Sequence, residues 1–341
     1  MPGYTFVDHL PADFSARTLR ADVRAGLTAP RKWLPPKWFY DKLGSELFEE
    51  ITRLPEYYPT QAEREVLQRE AGHLVRTAAC DTLVELGSGS SEKTRLLLDE
   101  LARPASAGRP GLTARGAGEV SRQPGYVALD VSEDALHAAC AGLAQRYPGL
   151  RIEAVRADFE GQLYGLAPAP GQGRRLVAFL GGTIGNLPPL QRAGFLRSLH
   201  DQLRTGDCFL LGADLVKSPE VLVPAYDDAA GVTAAFNLNL LEVLNHRLSA
   251  DFDRTGFEHR VIWDAGQEWI EMRLRARRAM TVHLPGVGLT VRFAEGEELR
   301  TEISAKFRPE GLSAELVAAG FAARGWWTDT AGRFAVSLWA A

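Results

Sequence analysis

From Leu74 onward, short apolar runs alternate with helix-like text, and no other feature constrains the fold as strongly. Strands that are each followed by a helix pair in parallel, with helices covering both faces of the sheet. The runs are TLVEL (Thr82 to Leu86), YVALD (Tyr126 to Asp130), RIEAV (Arg151 to Val155), RLVAFL (Arg175 to Leu180) and CFLLGAD (Cys208 to Asp214). Together they specify an α/β fold, a doubly wound Rossmann-like sheet. A helical stretch from Tyr226 to Leu248 follows, and then the alternating text WIEMRLRA and TVRFA, which reads as antiparallel strands. The tail reads as a helix (Glu310 to Ala319) and a hairpin (Ala322 to Asp329, Phe334 to Trp339) that returns to the sheet as an antiparallel edge. The expected division is an α/β domain of residues 61–216 and 307–341, and a discontinuous α+β substrate domain of residues 1–60 and 217–306, with a cleft between them.

The 341 residues suffice for two such units. With 39 Lys+Arg against 43 Asp+Glu, the surface has no cationic excess to set against a phosphate backbone, which argues against nucleic acid as a partner. Cys80, Cys140 and Cys208 are far apart and form no CxxC or Cys/His set, so neither a disulfide framework nor a metal is expected. The opening MPGYTFVDHL has no basic and apolar export pattern, and no run of about 18 apolar residues occurs. A monomer in the reducing cytoplasm, without a membrane partner, is the expectation. The Gly/Pro-rich stretch from Arg103 to Gly125 reads as a long surface loop, dispensable for chemistry.

After the first strand stands Glu85-Leu86-Gly87-Ser88-Gly89-Ser90-Ser91-Glu92-Lys93-Thr94, a glycine turn at the carboxyl end of a parallel strand, where open α/β sheets bind ligands. Gly87 and Gly89 let a nucleotide-like ligand approach the backbone. Glu92 replaces the third glycine of GxGxxG and sets a negative charge against a pyrophosphate, whereas a cationic or zwitterionic ligand such as S-adenosylmethionine is compatible with it. Asp130 ends the second strand, where a carboxylate can accept both ribose hydroxyls of an adenosine; its 41-residue distance from Gly89 becomes ordinary once the long loop is discounted. Asp158 and Phe159 follow the third strand, the one able to accept from an adenine amino group and the other to stack on the ring. Each has a plain alternative, a helix cap and a core aromatic. The fourth strand runs into Gly181-Gly182-Thr183-Ile184-Gly185-Asn186-Leu187-Pro188-Pro189, loosely similar to the Asn-Pro-Pro turn of amino methyltransferases, though it also reads as a turn without chemistry.

Pro35-Pro36-Lys37-Trp38-Phe39-Tyr40-Asp41, the stretch from Ile51 to Thr60 (ITRLPEYYPT), Tyr226 to Thr233 (YDDAAGVT), ELGSGSSEKT, FLGGTIGNL and Thr301 to Glu310 (TEISAKFRPE) resemble one family across nearly the whole chain. It is the histidine-specific Nα-methyltransferases of ergothioneine biosynthesis. The resemblance implies a class I methyltransferase domain with a separate substrate domain, and trimethylation of the α-amino group of free L-histidine by S-adenosylmethionine to give hercynine. It also implies that Gly87, Lys93, Asp130, Asp158 and Phe159 hold the cofactor, and that Tyr40, Tyr57, Asn186, Tyr226, Glu302 and Ser304 surround the amino acid.

Methyl transfer from a sulfonium is an in-line displacement that needs a positioned, deprotonated amine and no general acid. Tyr40 and Asn186 can bind the amine hydrogens, and aromatic faces such as Phe39, Tyr40, Tyr57 and Tyr58 tolerate the quaternary product; Phe39 and Tyr58 read equally as core. Glu302 and Ser304, two apart in strand-like text, point to one face and match the donor and acceptor of a neutral imidazole, or else form a solvated strand face. The alternatives are an enzyme methylating another aromatic amino acid such as tryptophan, with a pocket altered near Met272, a noncatalytic cofactor-binding module, or a nicotinamide dehydrogenase.

Overall fold

A computed structural model describes residues 3–89, 91–103, 123–158 and 173–341. The chain opens with strand β1 (Thr5–Asp8) and helix α1 (Phe14–Leu27), a 3-10 turn at Pro36–Phe39, and helices α2 (Lys42–Ile51) and α3 (Tyr58–Ala78). The expected alternation then follows: β2 (Thr82–Leu86), α4 (Arg95–Leu101), β3 (Gly125–Asp130), α5 (Glu133–Arg146), β4 (Arg151–Arg156), β5 (Arg175–Phe179), α6 (Pro189–Gln202) and β6 (Cys208–Asp214). Beyond it lie α7 (Pro219–Leu222), α8 (Val232–Leu248) and strands β7 (Phe257–Asp264), β8 (Trp269–Ala276), β9 (Met280–Leu284), β10 (Leu289–Phe293) and β11 (Glu298–Ala305). The tail supplies α9 (Pro309–Ala318), β12 (Ala322–Thr328) and β13 (Phe334–Ala340).

Eight strands form one sheet in the order β1-β4-β3-β2-β5-β6-β13-β12, parallel from β1 to β6 and closed by the antiparallel β13 and β12. Its central strands are buried along their whole length because helices cover both faces, and this is why they read as continuous apolar runs. Two apolar clusters lie on its opposite faces, one around Leu67, Leu83 and Leu210, the other around Val84, Phe179 and Leu211. A third core is built from α1, the Pro36–Phe39 turn, α8 and the small antiparallel sheets β11-β8-β7 and β10-β9.

Two expectations shift. β1, within the stretch 1–60 assigned to the substrate domain, pairs in parallel with β4, so it belongs to the large sheet. It covers what would otherwise be a bare edge of unpaired backbone groups. The helix expected from Tyr226 begins only at Val232, after Gly231 turns with φ +74; the Asp228 carboxylate takes the amide hydrogens of Val232 and Thr233 at 3.0 and 2.8 Å. Most of the Arg103 to Gly125 loop lies outside the described residues.

The chain leaves the large sheet after Asp214 and returns at Phe307, and the two crossings are bonded to each other: Phe307 N donates to Asp214 O at 2.8 Å and Val216 N to Phe307 O at 3.0 Å. The turn carrying Asn186 packs beneath the return crossing. A Cβ at Gly185 would lie 2.7 Å from Ala305 O and 3.1 Å from Ala305 N, so this turn approaches β11 closely only because residue 185 has no side chain. Gly185→Ala is therefore expected to destabilise the protein by about 1–3 kcal/mol and to move Asn186 away from β11. Thermal unfolding checks it, and a variant with an unchanged midpoint contradicts the close approach.

Candidate active site

The glycine turn after β2 wraps back onto β3: Gly87 N and Ser88 N both donate to Leu129 O, at 2.8 and 3.2 Å. Gly87 and Gly89 have φ of +67 and +47, and a Cβ at Gly89 would meet nothing within 4 Å, which leaves open space in front of the turn. Asp130 stands beside it with each carboxylate oxygen taking one backbone hydrogen bond, Oδ2 from Gly89 N at 3.1 Å and Oδ1 from Ser132 N at 3.0 Å. Burial raises its pKa, and these backbone donors pull against that rise. The remaining lone pairs can accept two vicinal hydroxyls. Among the described residues Ser88 Oγ is buried without a partner, the sort of orphaned polar atom that a bound polar ligand satisfies. The open turn, the clamped carboxylate and this hydroxyl fit an adenosine-containing cofactor.

Lys93 makes a strong ion pair with Glu63 of α3, whose wholly buried carboxylate also accepts the Gly181 amide at 2.8 and 3.0 Å. Two of the three ammonium hydrogens stay available for an anionic group of the cofactor. Glu63 was not anticipated from sequence. It sits in the buried stripe of α3 with Pro59, Ala62, Val66 and Leu67, and a carboxylate in such a stripe is the signal that could have found it. Gly212 of β6 makes its room, since a Cβ there would lie 2.0 Å from Glu63 Oε1.

Glu85, in the central strand β2, is a second unanticipated carboxylate. It accepts from the Tyr126 hydroxyl at 2.5 Å and from Thr94 Oγ1, while Ser91 Oγ bonds the same tyrosine at 2.8 Å. This network ties both ends of the glycine turn to the sheet. Burial pushes the Glu85 carboxyl up to about 7 against these hydrogen bonds. Glu92 is paired with Arg64 at 2.8 Å at the surface.

A cavity opens beside Gly181 and Gly182. Tyr40, Tyr57, Asn186, Tyr226, Glu302 and Ser304 all line it. Glu302 and Ser304 project from one face of β11 past a bulge between Arg300 and Glu302, and Met272 is the cross-strand neighbour of Glu302. Ser304 Oγ and the Tyr226 hydroxyl are 2.8 Å apart. Burial, with Lys306 opposing it, pushes the Glu302 carboxyl up to about 7. Desolvation raises the hydroxyls of Tyr40, Tyr57 and Tyr226 well above the ordinary phenol range, so all three stay protonated. Thr233, also lining the cavity, is buried, and its backbone amide donates to Asp228.

Tyr40 also lines the neighbouring cavity that holds Asp158, Trp38, Val131 and Arg156, and so forms the wall shared by the two. Phe159 lies outside the described residues. Phe39 is core, 4.6 Å from Phe236 ring to ring, and Tyr58 turns its hydroxyl away to Asp214 at 2.8 Å. Among the described residues no group of His, Cys, Asp and Glu is arranged to hold a metal, and no helix is long and apolar enough to cross a membrane.

Residues 19–341 match the profile of a family described as histidine-specific methyltransferase, SAM-dependent. The chain belongs to this family. A histidine N-alpha-methyltransferase of Mycolicibacterium smegmatis is 52% identical over 334 residues, 98% of each chain, and one of Mycobacterium tuberculosis is 49% identical over 97% of each. Ergothioneine biosynthesis protein 1 of Schizosaccharomyces pombe is 29% identical over 73% of this chain and 31% of its own length. For this methyltransferase the doubly wound sheet is the class I fold, and S-adenosylmethionine is the family's donor.

Asp130→Ala removes the clamped acceptor, so S-adenosylmethionine affinity is expected to fall tenfold to a hundredfold, about 1.5–3 kcal/mol. Histidine binding should change little; calorimetric titration with each ligand separates the two, and an unchanged cofactor affinity removes Asp130 from the site. Glu85 governs a pH effect. Its carboxyl is held near 7 when folded against an ordinary 4.5, so the proton is bound more tightly by the folded chain. The stabilisation this gives is complete below about pH 4.5 and is lost as pH rises through about 7. Relative to Glu85→Gln, the wild type should therefore lose stability between these values in urea unfolding; a difference that stays constant or grows with pH contradicts the assignment.

Proposed function

We propose that this methyltransferase converts free L-histidine to its Nα-trimethyl derivative, hercynine, with residues 61–216 and 307–341 holding the donor and the rest of the chain, β1 excepted, shaping the amino-acid pocket. The observation that carries the reading is the placement of Glu302 and Ser304 on one face of β11, inside the same cavity as Asn186 and Tyr40. A carboxylate to accept an N–H and a hydroxyl to donate to a bare nitrogen match the two ring nitrogens of neutral imidazole. The names of the mycobacterial relatives and the family description support the same substrate.

Bound S-adenosylmethionine supplies an electrophilic methyl carbon on a sulfur that leaves as a neutral thioether. The chain supplies position. Asn186, at the end of the turn after β5, and the Tyr40 hydroxyl on the wall common to both cavities accept hydrogens from the α-amine and hold it toward the donor side. Tyr40 and the other two phenols are held protonated, so the amine gives up its proton to water rather than to a phenolate. Each transfer forms one N–C bond, breaks one S–C bond, and releases one proton until the amine has none.

Glu302→Ala is expected to weaken histidine binding by about 1.5–3 kcal/mol and leave cofactor binding little changed. Selectivity over tryptophan should fall with it, because a site that hydrogen-bonds a polar ring rejects rings that leave its own polar atoms unpaired. The test is kcat/KM for histidine and tryptophan with wild type and variant, the products being identified by mass spectrometry; an unchanged ratio removes Glu302 from ring recognition, and no methylated histidine from the wild type overturns the function.

A further inference from the structure

Behind Ser304 and Tyr226, on the side away from the cavity, lies a cation that the reaction does not use. The Lys306 side chain is wholly buried, and its ammonium has three partners: Asp214 Oδ2 at 2.9 Å, the Tyr226 hydroxyl at 2.8 Å and Ser304 Oγ at 2.8 Å. An ammonium has three hydrogens and no acceptor, so this set is complete. Asp214 is itself held by Lys217 at 2.6 Å and by the Tyr58 hydroxyl at 2.8 Å, which fixes the anion against which Lys306 is clamped.

Counting hydrogens gives the consequence. Ser304 Oγ and the Tyr226 oxygen each accept one hydrogen from Lys306, and they are 2.8 Å from each other, so one of their own two hydrogens is used between them. One hydroxyl hydrogen remains for the cavity. Phenol is the stronger acid of the two and the better donor, which directs Tyr226 toward Ser304. Ser304 Oγ then accepts from both Lys306 and Tyr226, its two lone pairs are occupied, and it can only donate. Beside it, Glu302 in its ionised form can only accept.

We propose that Lys306 is a specificity-determining positioning residue: clamped on Asp214, it turns the Ser304 hydroxyl into an obligate donor and so makes the cavity select a ring with one donor and one acceptor nitrogen over a ring with two donors. The inference rests on the amino-acid pocket assigned above and adds a residue that does not touch the substrate. Without the ammonium, Ser304 and Tyr226 can rotate to accept as well as donate, and the polarity of this subsite is lost although its shape is kept.

The test has two parts. With L-histidine carrying ring 15N, bound to the intact wild type in the presence of S-adenosylhomocysteine at about pH 8.5, above the value of about 7 to which Glu302 is pushed, nitrogen NMR should show one protonated and one bare ring nitrogen; two protonated nitrogens overturn the proposal. In steady-state kinetics, Lys306→Met should raise KM for histidine about tenfold or more, with kcat changed a few-fold at most and cofactor affinity within about twofold. Repeated on a Ser304→Ala background, the same substitution should lose most of that effect, because Lys306 acts through the hydroxyl; equal effects on both backgrounds would assign it a structural role only. Since Lys306→Met leaves the buried Asp214 carboxylate with one cation fewer, the cycle is also run with Lys306→Met/Asp214→Asn, which removes both charges of the pair. A chain that folds in neither form places Lys306 in the framework of the fold and overturns its assignment to specificity. A wild type that fails to methylate histidine refutes the function itself, an outcome distinct from all of these.

Discussion

The ion pair between Asp214 and Lys306 joins the two halves of this protein. Asp214 is the last residue of β6, and Lys306 follows the last residue of β11, so the pair spans the points where the chain leaves the large sheet and where it comes back. Taking both charges out of water is costly, and the cost is offset only because every polar atom finds a partner: Lys217 and Tyr58 on the anion, Tyr226 and Ser304 on the cation. Burial alone would raise the Asp214 pKa, yet the two ammonium groups hold it below the ordinary carboxylate value. An interaction that demands such complete pairing tolerates little displacement. It therefore fixes β11, and with it Glu302 and Ser304, relative to the strand ends from which the cofactor side of the site is built.

On that cofactor side, Glu63 plays a corresponding part. It reaches from α3 between β6 and the turn after β5, bonding the Gly181 amide and Lys93. Gly181 begins the segment that ends at Asn186, and Lys93 follows the glycine turn, so one buried carboxylate sets the spacing between the glycine turn and the Asn186 amide. Glu85 does the same within the glycine turn by gathering Thr94, Tyr126 and, through the tyrosine, Ser91. The positioning required for methyl transfer thus rests on carboxylates beneath the site.

How much of this was legible in the sequence follows from the range of each interaction. The parallel strands could be read because full burial leaves continuous apolar runs, and strand alternation puts Glu302 and Ser304 on one face, though their expected role came from the family resemblance alone. Asp130 could be placed because it ends a strand beside a glycine turn. The partners of these residues could not be read in the same way: Lys306 and Asp214 are 92 positions apart, Gly181 and Glu63 118, and no local pattern links them. β1 escaped notice because four residues carry too little periodicity to announce a strand, and the delayed start of α8 depends on an aspartate cap that competes with helical text before it.

The proposed trimethylation sets a further demand on the pocket, because the amine begins with hydrogens to donate and ends with none. A site made only of acceptors would hold each successive intermediate less well. Here the acceptors Asn186 and Tyr40 stand in an aromatic frame: Tyr40 meets Phe48 edge-on at 5.5 Å and Phe236 at 5.7 Å, Phe48 meets Tyr57 at 6.3 Å, and Tyr57 meets Tyr226 at 6.3 Å. These rings attract a cation whether or not it carries hydrogens. Because each ring is braced by its neighbours, their faces keep their places as the amine changes from hydrogen-bond donor to quaternary ammonium. On the proposed reading the imidazole end, held by Glu302 and Ser304, is unaltered through all three steps, so the substrate can remain anchored by its ring while the hydrogen bonds at its amine are lost one at a time.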